Sequence, residues 1–210
     1  MNDDHDFDAA TLRIGRVLRA STRGFDCGTH SRHIDARHDF GALVRANVSN
    51  SRDSWVVGLI YKVEIKDDQL ISELVMGEAV PEAILRDQRN NRLIPVEIKV
   101  LNVGYVTPQA IVPSLPPRPP MSLADVFPCD DEEVRAFNQQ MDYFRIVLGA
   151  SEVPSDDLLA AALRRAALAY DPSQRRNFLE TSGRRLARDL SHDMKRLAHL
   201  LALLEPMFTL

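Results

Sequence analysis

The sequence is poor in cysteine and glycine, with two and nine in 210 residues, and aromatic residues make up 6% of it. Cys27 and Cys129 match no paired zinc spacing, and two distant thiols do not make the disulfide framework of a small secreted domain. Both are expected to be reduced and structural. The glycines include no G-x-x-x-x-G-K-[ST] loop and no Gly-rich dinucleotide turn, so the phosphate cradle of a nucleotide hydrolase has no residues to form it. A nucleophile elbow and the kinase and deaminase signatures are missing as well. The chain is therefore expected to be no enzyme and to need no cofactor.

Long apolar runs are also lacking. No segment approaches the roughly 18 residues of a membrane span, and the opening Met1–Asp8 has neither the basic flank nor the apolar run of a signal peptide. A cytoplasmic protein without membrane contact is the expectation. An overall excess of positive charge is absent too. The formal net charge of −4 argues against a protein held to nucleic acid by its general basicity.

What is present is an ordinary globular composition, 45% hydrophobic and 27% charged, enough to bury a core. Between Leu12 and Val112 short runs of β-branched residues are punctuated by Gly, Asn and Asp, the pattern of strands. Leu12-Arg-Ile-Gly-Arg-Val-Leu-Arg19 puts Leu12, Ile14 and Val17 on one face with a bulge expected at Gly15. Strands are further expected over 25–27, 43–48, 54–65 and 94–106, and in the last of these Val96, Ile98 and Val100 share a face. The insertion 67–93 carries Leu70, Ile71, Leu74 and Val75 at helical spacing, with a second helical turn opened by Pro81. Short antiparallel strands with turns and few helices between them favour a closed small barrel, which leaves no exposed edge, over a parallel sheet, with a sandwich as the alternative.

Pro113-Ser-Leu-Pro-Pro-Arg-Pro-Pro120 reads as a semi-rigid spacer. The chain then divides into a barrel over 10–112, a proline-rich linker over 113–128 and an α-helical bundle over 129–210. Beyond the linker the apolar period lengthens to 3.6 residues. Asp130–Glu133 opens a helix whose stripe is Val134, Phe137, Met141, Phe144 and Leu148, ending at Gly149. Ser155 starts a second helix and Asp171-Pro172 a third. The third continues into Leu186, Leu190, Met194, Leu197, Leu201 and Leu204, a leucine seam that needs a partner helix in this bundle or on another subunit.

Ile14-Gly-Arg-Val17, Phe40-Gly-Ala-Leu-Val44, Val57-Gly-Leu-Ile-Tyr61 and Val100-Leu-Asn-Val-Gly-Tyr105 resemble the HAS barrel, the small barrel shared by HerA-type DNA translocases and rotary ATP synthase subunits. Leu115-Pro-Pro117, Phe127 to Val134 and the Leu-Arg-Arg helix resemble stand-alone bacterial proteins that carry such a barrel before a helical tail. In HerA-type proteins the barrel precedes an ATP-binding motor, takes part in ring assembly and docks the nuclease NurA. Here the motor's motif is absent, so the resemblance implies interaction without ATP hydrolysis.

Candidate sites are few. Cys27, His30, His33 and His38 lie close in sequence, and thiolate and imidazole are zinc ligands. On an extended strand, however, Cys27 and His33 face one way and His30 the other, so no metal is expected. Arg86, Arg89 and Arg92 form a polar run before the last long strand. Arg184, Arg185 and Arg188, with Arg164, Arg165, Arg175, Arg176, Lys195 and Arg196, concentrate positive charge in the helices. They make either a solvated surface with i,i+4 and i,i+3 pairs such as Arg185 with Asp189 and Asp193 with Arg196, or a phosphate-contacting face. The expected role is an accessory or assembly protein, a homo-oligomer or a partner of a HerA-like ATPase or nuclease in DNA processing or repair. The other reading is a nucleic-acid-binding module.

Overall fold

A computed structural model describes residues 12–48, 53–66, 76, 81–83, 86 and 93–205. Six antiparallel strands close a barrel, and five α-helices follow them in sequence. The strands are β1 (Gly15–Ala20), β2 (Gly24–His30), β3 (Leu43–Asn47), β4 (Trp55–Ile65), β5 (Pro95–Val106) and β7 (Asp125–Pro128), with the two-residue β6 (Ile111–Val112) added beside the end of β5. The order around the barrel is β2-β1-β7-β3-β4-β5, and β5 pairs back onto β2. Closure is possible because β5 is long enough to ladder with β4 along its length while Pro95–Leu101 pairs with β2 on the other side.

Alternation sets the interior. Val17, Phe25, Cys27, Val44, Ala46, Val56, Ile60, Val96, Ile98, Val100 and Val126 point inward and form one apolar cluster, so side chains fill the barrel. Ile14 and Val17 are buried as the alternation predicts, but Leu12 is exposed. The bulge of β1 falls at Leu18, not at Gly15, because the register with β2 slips between Val17 and Arg19. Two further irregularities, at Val57/Gly58 and Ile60/Lys62, coil the long β4–β5 ribbon. Gly58 is required there: a Cβ would fall 2.3 Å from Val100 Cγ1.

The outer face of β3, β4 and β5 is apolar too. Leu43, Val57, Leu59, Leu101 and Val103 share a second cluster with Phe137, Tyr143, Phe144, Leu159 and Leu163 of the helical region. Strands covered on both faces read as nearly continuous apolar runs, which accounts for Trp-Val-Val-Gly-Leu-Ile. The barrel and helices therefore share a core.

The proline stretch does not run as a free stalk to residue 128. Pro116 and Pro120 are buried, and Asp125–Pro128 is the strand that closes the barrel between β1 and β3. Four residues with one inward side chain, Val126, are too few for an alternation signal, and the neighbouring prolines mask them.

The helices are α1 (Asp131–Asn138), α2 (Phe144–Leu148), α3 (Ser155–Leu168), α4 (Pro172–Asp189) and α5 (Met194–Leu204). Asp130 caps α1 reciprocally with Glu133, as the acidic first turn predicts. The single helix expected from Asp130 to Leu148 is instead broken around a 3₁₀ turn at Met141–Tyr143. On an unbroken helix Tyr143 would leave the face of Phe137 and Phe144. The break brings all three rings together, with centroids 5.2 and 5.0 Å apart. Buried Asn138 fixes it, its Nδ2 donating to Val134 O at 2.8 Å and its Oδ1 accepting from Tyr143 Oη at 2.8 Å.

Helix α3 starts at Ser155 as read from sequence and is apolar almost all round, the mark of a central helix. Gly41, at φ 84°, lets the loop before β3 approach it; a Cβ there would sit 2.7 Å from Ala161 Cβ. The leucine seam is not one helix. The chain turns at Leu190, and Asp193 caps α5 by accepting from Arg196 N at 3.0 Å. Leu186, Leu190, Leu197 and Leu204 are buried within this chain, while Met194 and Leu201 remain exposed. The seam's expected partner is thus found in this bundle for four of its six positions. Of the insertion, Met76, Glu82, Ala83 and Arg86 are helical and exposed; Leu70, Ile71, Leu74 and Val75 lie outside the described residues.

Candidate interaction surface

Strand β2 carries Cys27 into the barrel interior, fully buried, where desolvation pushes its thiol up to about 12. At neutral pH it is a protonated, inert side chain. His30 ends β2 and His33 sits in the 3₁₀ turn that follows; both are exposed, and their rings meet edge-on with centroids 5.8 Å apart. Cys27 is thus turned away from both histidines. Among the described residues no three His, Cys, Asp or Glu side chains are grouped to hold a metal ion.

His38 is buried and structural. Its Nδ1 accepts from Asp35 N at 3.1 Å, which leaves Nε2–H to donate to Ile14 O at 3.2 Å. The ring thus fastens loop 31–38 to the start of β1. Asp35 completes the clasp by accepting from Arg37 N at 2.9 Å and pairing with the Arg37 guanidinium. That guanidinium holds the Asp35 carboxyl well below the usual carboxylate range.

The arginines of the helices separate into two groups. Arg165 reaches back to the barrel loop, donating to Asp39 Oδ2 at 2.9 Å and Ala36 O at 2.7 Å. Arg185 is shared between Asp189 and Asp142, tying α4 to the 3₁₀ turn. The pairing with Asp189 is the i,i+4 pair read from sequence. Arg196 does not pair with Asp193, whose carboxylate is the cap of α5; it meets Asp156 and Ser155 Oγ at the start of α3 and Leu148 O at the end of α2. These three arginines hold the fold. Arg184 is exposed and only loosely paired with Glu180 at 4.0 Å, while Arg188 and Lys195 are exposed and have no acidic partner among the described residues. Arg86 is exposed; Arg89 and Arg92 lie outside the described residues.

Two surface features were not legible in the sequence. Glu97 on β5 is nearly buried and gathers Arg19 of β1 and Lys66 after β4, and Arg19 also pairs with Asp26 of β2. Three strands and the end of a fourth are thereby cross-linked by charge on the barrel's outside. Beside this network a cleft of about 310 Å³ is lined by Arg19, Arg23, Asp26, Tyr61 and Glu152, in which Arg23 and Glu152 pair at 3.1 Å. From sequence, Glu97 was simply the polar position of an alternating strand.

The second feature lies where α1 meets the barrel. Trp55, Val57, Val106, Ile111 and Phe137 line a groove of about 260 Å³ whose lip is acidic, with Asp130, Glu132 and Glu133. Arg45 braces it from β3. Its guanidinium carbon lies 5.5 Å from the Trp55 ring and 5.7 Å from the Phe127 ring, and its Nε is 2.9 Å from Glu133 Oε1, an ion pair too bent to be a hydrogen bond. The register explains the stacking: Phe127 is directly opposite Arg45, and Trp55 is diagonal to it.

Among the described residues no helix is long and apolar enough to cross a membrane. No protein-family model matches the chain, and no curated protein matches it.

Proposed function

We propose that this protein is a non-catalytic accessory or assembly protein, one that binds itself or a HerA-like ATPase or nuclease in DNA processing or repair, in the cytoplasm. The observation that carries the reading is the filled barrel: Phe25, Cys27, Val56, Ile60, Ile98 and Val100 occupy its interior, so what the fold offers a partner is its outside. That outside includes apolar side chains that a lone domain gains nothing by exposing. Leu18 stands out on the β1 bulge, and Leu123 is 70% exposed at a positive φ of 63°, a conformation that costs a branched side chain energy. The resemblance of Ile14–Val17, Phe40–Val44, Val57–Tyr61 and Val100–Tyr105 to the HAS barrel supplies the class of partner, and the missing phosphate loop removes the motor.

The test is reconstitution. The purified protein is mixed with the HerA-type ATPase and the NurA-type nuclease of the same cell, and mass is followed by gel filtration with light scattering. Co-elution with either is the expected result; separate elution from both, together with a single-copy mass, rejects the reading. A second reading, a nucleic-acid-binding module, is favoured by one observation, the exposed cations Arg188 and Lys195, which have no acidic partner among the described residues. It requires a gel shift that weakens steeply as salt rises.

A further inference from the structure

Helix α5 is apolar on two sides. Leu197, Leu200 and Leu204 form the face it buries in the bundle, whereas Met194 (65%), Leu201 (40%), Ala198 and Ala202 are exposed. At about 100° per residue the exposed set falls within one stripe running the length of the helix. Beside it on α4 is Gly183, where an added Cβ would meet only Leu201 Cδ2, at 3.7 Å, so the neighbouring helix does not cover the stripe with a side chain there. A continuous apolar stripe on a solvent face marks a contact surface.

The charges at its ends identify the occupant. Lys195 stands in the first turn of α5 and Glu205 just past its last residue. Each is at the unfavourable end of its own helix dipole, cation at the positive end and anion at the negative end. Neither has an ionic partner among the described residues, and the last turn of α5 holds no basic residue to offset Glu205. An antiparallel second α5 reverses both penalties. With Ala198 opposite Leu201, small against large, residue 194 faces residue 205, so the Glu205 carboxylate of each copy reaches the Lys195 end of the other. The arrangement is isologous and closes after two copies.

We infer that the outer stripe of α5, Met194-Ala198-Leu201-Ala202, is a self-association surface that pairs antiparallel with α5 of a second copy of this chain, sealed at each end by Lys195 and Glu205. The inference deepens the assembly reading by naming the partner and the surface, and it rests on that reading only for the statement that the protein binds itself.

Sedimentation equilibrium of the full chain tests it. The wild type is expected to be a two-copy species. Leu201→Glu is expected to weaken association by about tenfold or more, since it sets an unpaired charge in an apolar contact, with an unchanged circular dichroism spectrum because Leu201 is exposed. Lys195→Glu and Glu205→Lys are each expected to weaken association, and the double reversal to restore it. A parallel pair gives no such rescue, because like ends meet in every variant. A wild-type mass of one copy overturns the inference, whether residues 206–210 or another protein cover the stripe. So does a two-copy wild type indifferent to Leu201→Glu, or a double reversal that fails to rescue. Continued co-elution of Leu201→Glu with the HerA-type ATPase leaves the wider assembly reading standing in any of these outcomes.

Discussion

Gly15 lies opposite Val126, and Val126 on its other side lies opposite Ala46. Strand β7 is therefore the closing stave between β1 and β3, although it follows the proline stretch. A fragment ending at residue 112 leaves β1 and β3 as bare edges. It also uncovers Val57, Leu59, Leu101 and Val103, which pack against the helices. The expected outcome is no cooperative thermal transition for the fragment, against a single transition for the whole chain, followed by circular dichroism. A cooperatively melting fragment would show that the barrel stands without β7.

The interior of the barrel leaves no room at Gly58. A Cβ would meet Val100 Cγ1 at 2.3 Å and Leu101 O at 2.9 Å. The first neighbour is a β-branched side chain in a filled core and the second is backbone, so neither yields cheaply. Gly58→Ala is expected to destabilise the protein by about 1–3 kcal/mol, the range for overpacking a core. A urea titration measures it as a lowered midpoint with unchanged slope.

The strands legible in sequence were those long enough to alternate. Over β5, Val96, Ile98 and Val100 set the inward face without ambiguity, and the same holds for Val56 and Ile60 of β4. Strand β7 was lost because Val126 is its single inward residue. Helix starts were legible at Asp130, a true side-chain cap, and at Pro172, a proline in the first turn; Ser155 opens α3 as read, but its N-cap is Pro154 and no side chain caps it. Helix breaks were not, since the turn at Leu190 leaves the heptad-like spacing of leucines intact across it, and Asp193, three residues before Arg196, has the spacing of a salt-bridge partner although its carboxylate caps α5. Sequence spacing found the local pair Arg185–Asp189. It could not find Arg196–Asp156, whose partners are 40 residues apart and meet only because α5 folds back on α3. Alternation sets Cys27 and His30 on opposite faces, as observed, but it fails for His33 because β2 ends at His30 and His33 belongs to the 3₁₀ turn that follows.

The clasp at His38 makes part of the acid sensitivity predictable. Asp35 has a carboxyl pKa lowered by Arg37, whose guanidinium and backbone N–H both bond to it. A lowered folded-state pKa means that the unfolded chain takes up the proton first as pH falls. The contact is therefore fully stabilising above the ordinary value of 3.8, and its contribution declines as pH drops from there toward the lower folded-state value. Asp35→Asn is expected to flatten this part of the stability–pH curve below about pH 4. Denaturant midpoints between neutral and strongly acidic pH provide the check, and an unchanged slope would assign the acid sensitivity elsewhere.

Arg188 and Arg196 sit eight positions apart in a basic stretch and should behave oppositely. Arg196 bridges three groups at the end of α2 and the start of α3, including a carboxylate 2.6 Å away. Removing it leaves Leu148 O and Asp156 without that donor, so Arg196→Ala is expected to cost about 1–2 kcal/mol, charge-assisted bonds reduced by partial exposure. Arg188 has no acidic partner among the described residues, and Arg188→Ala should change stability by less than about 0.5 kcal/mol. Its effect belongs to binding. If nucleic acid is contacted by this face, Arg184→Glu with Arg188→Glu weakens binding across all sequences and lowers the salt slope by about 1 per phosphate contact removed, while the urea midpoint stays fixed. A double variant that folds normally and leaves a salt-sensitive gel shift unaltered would remove α4 from any nucleic-acid interface.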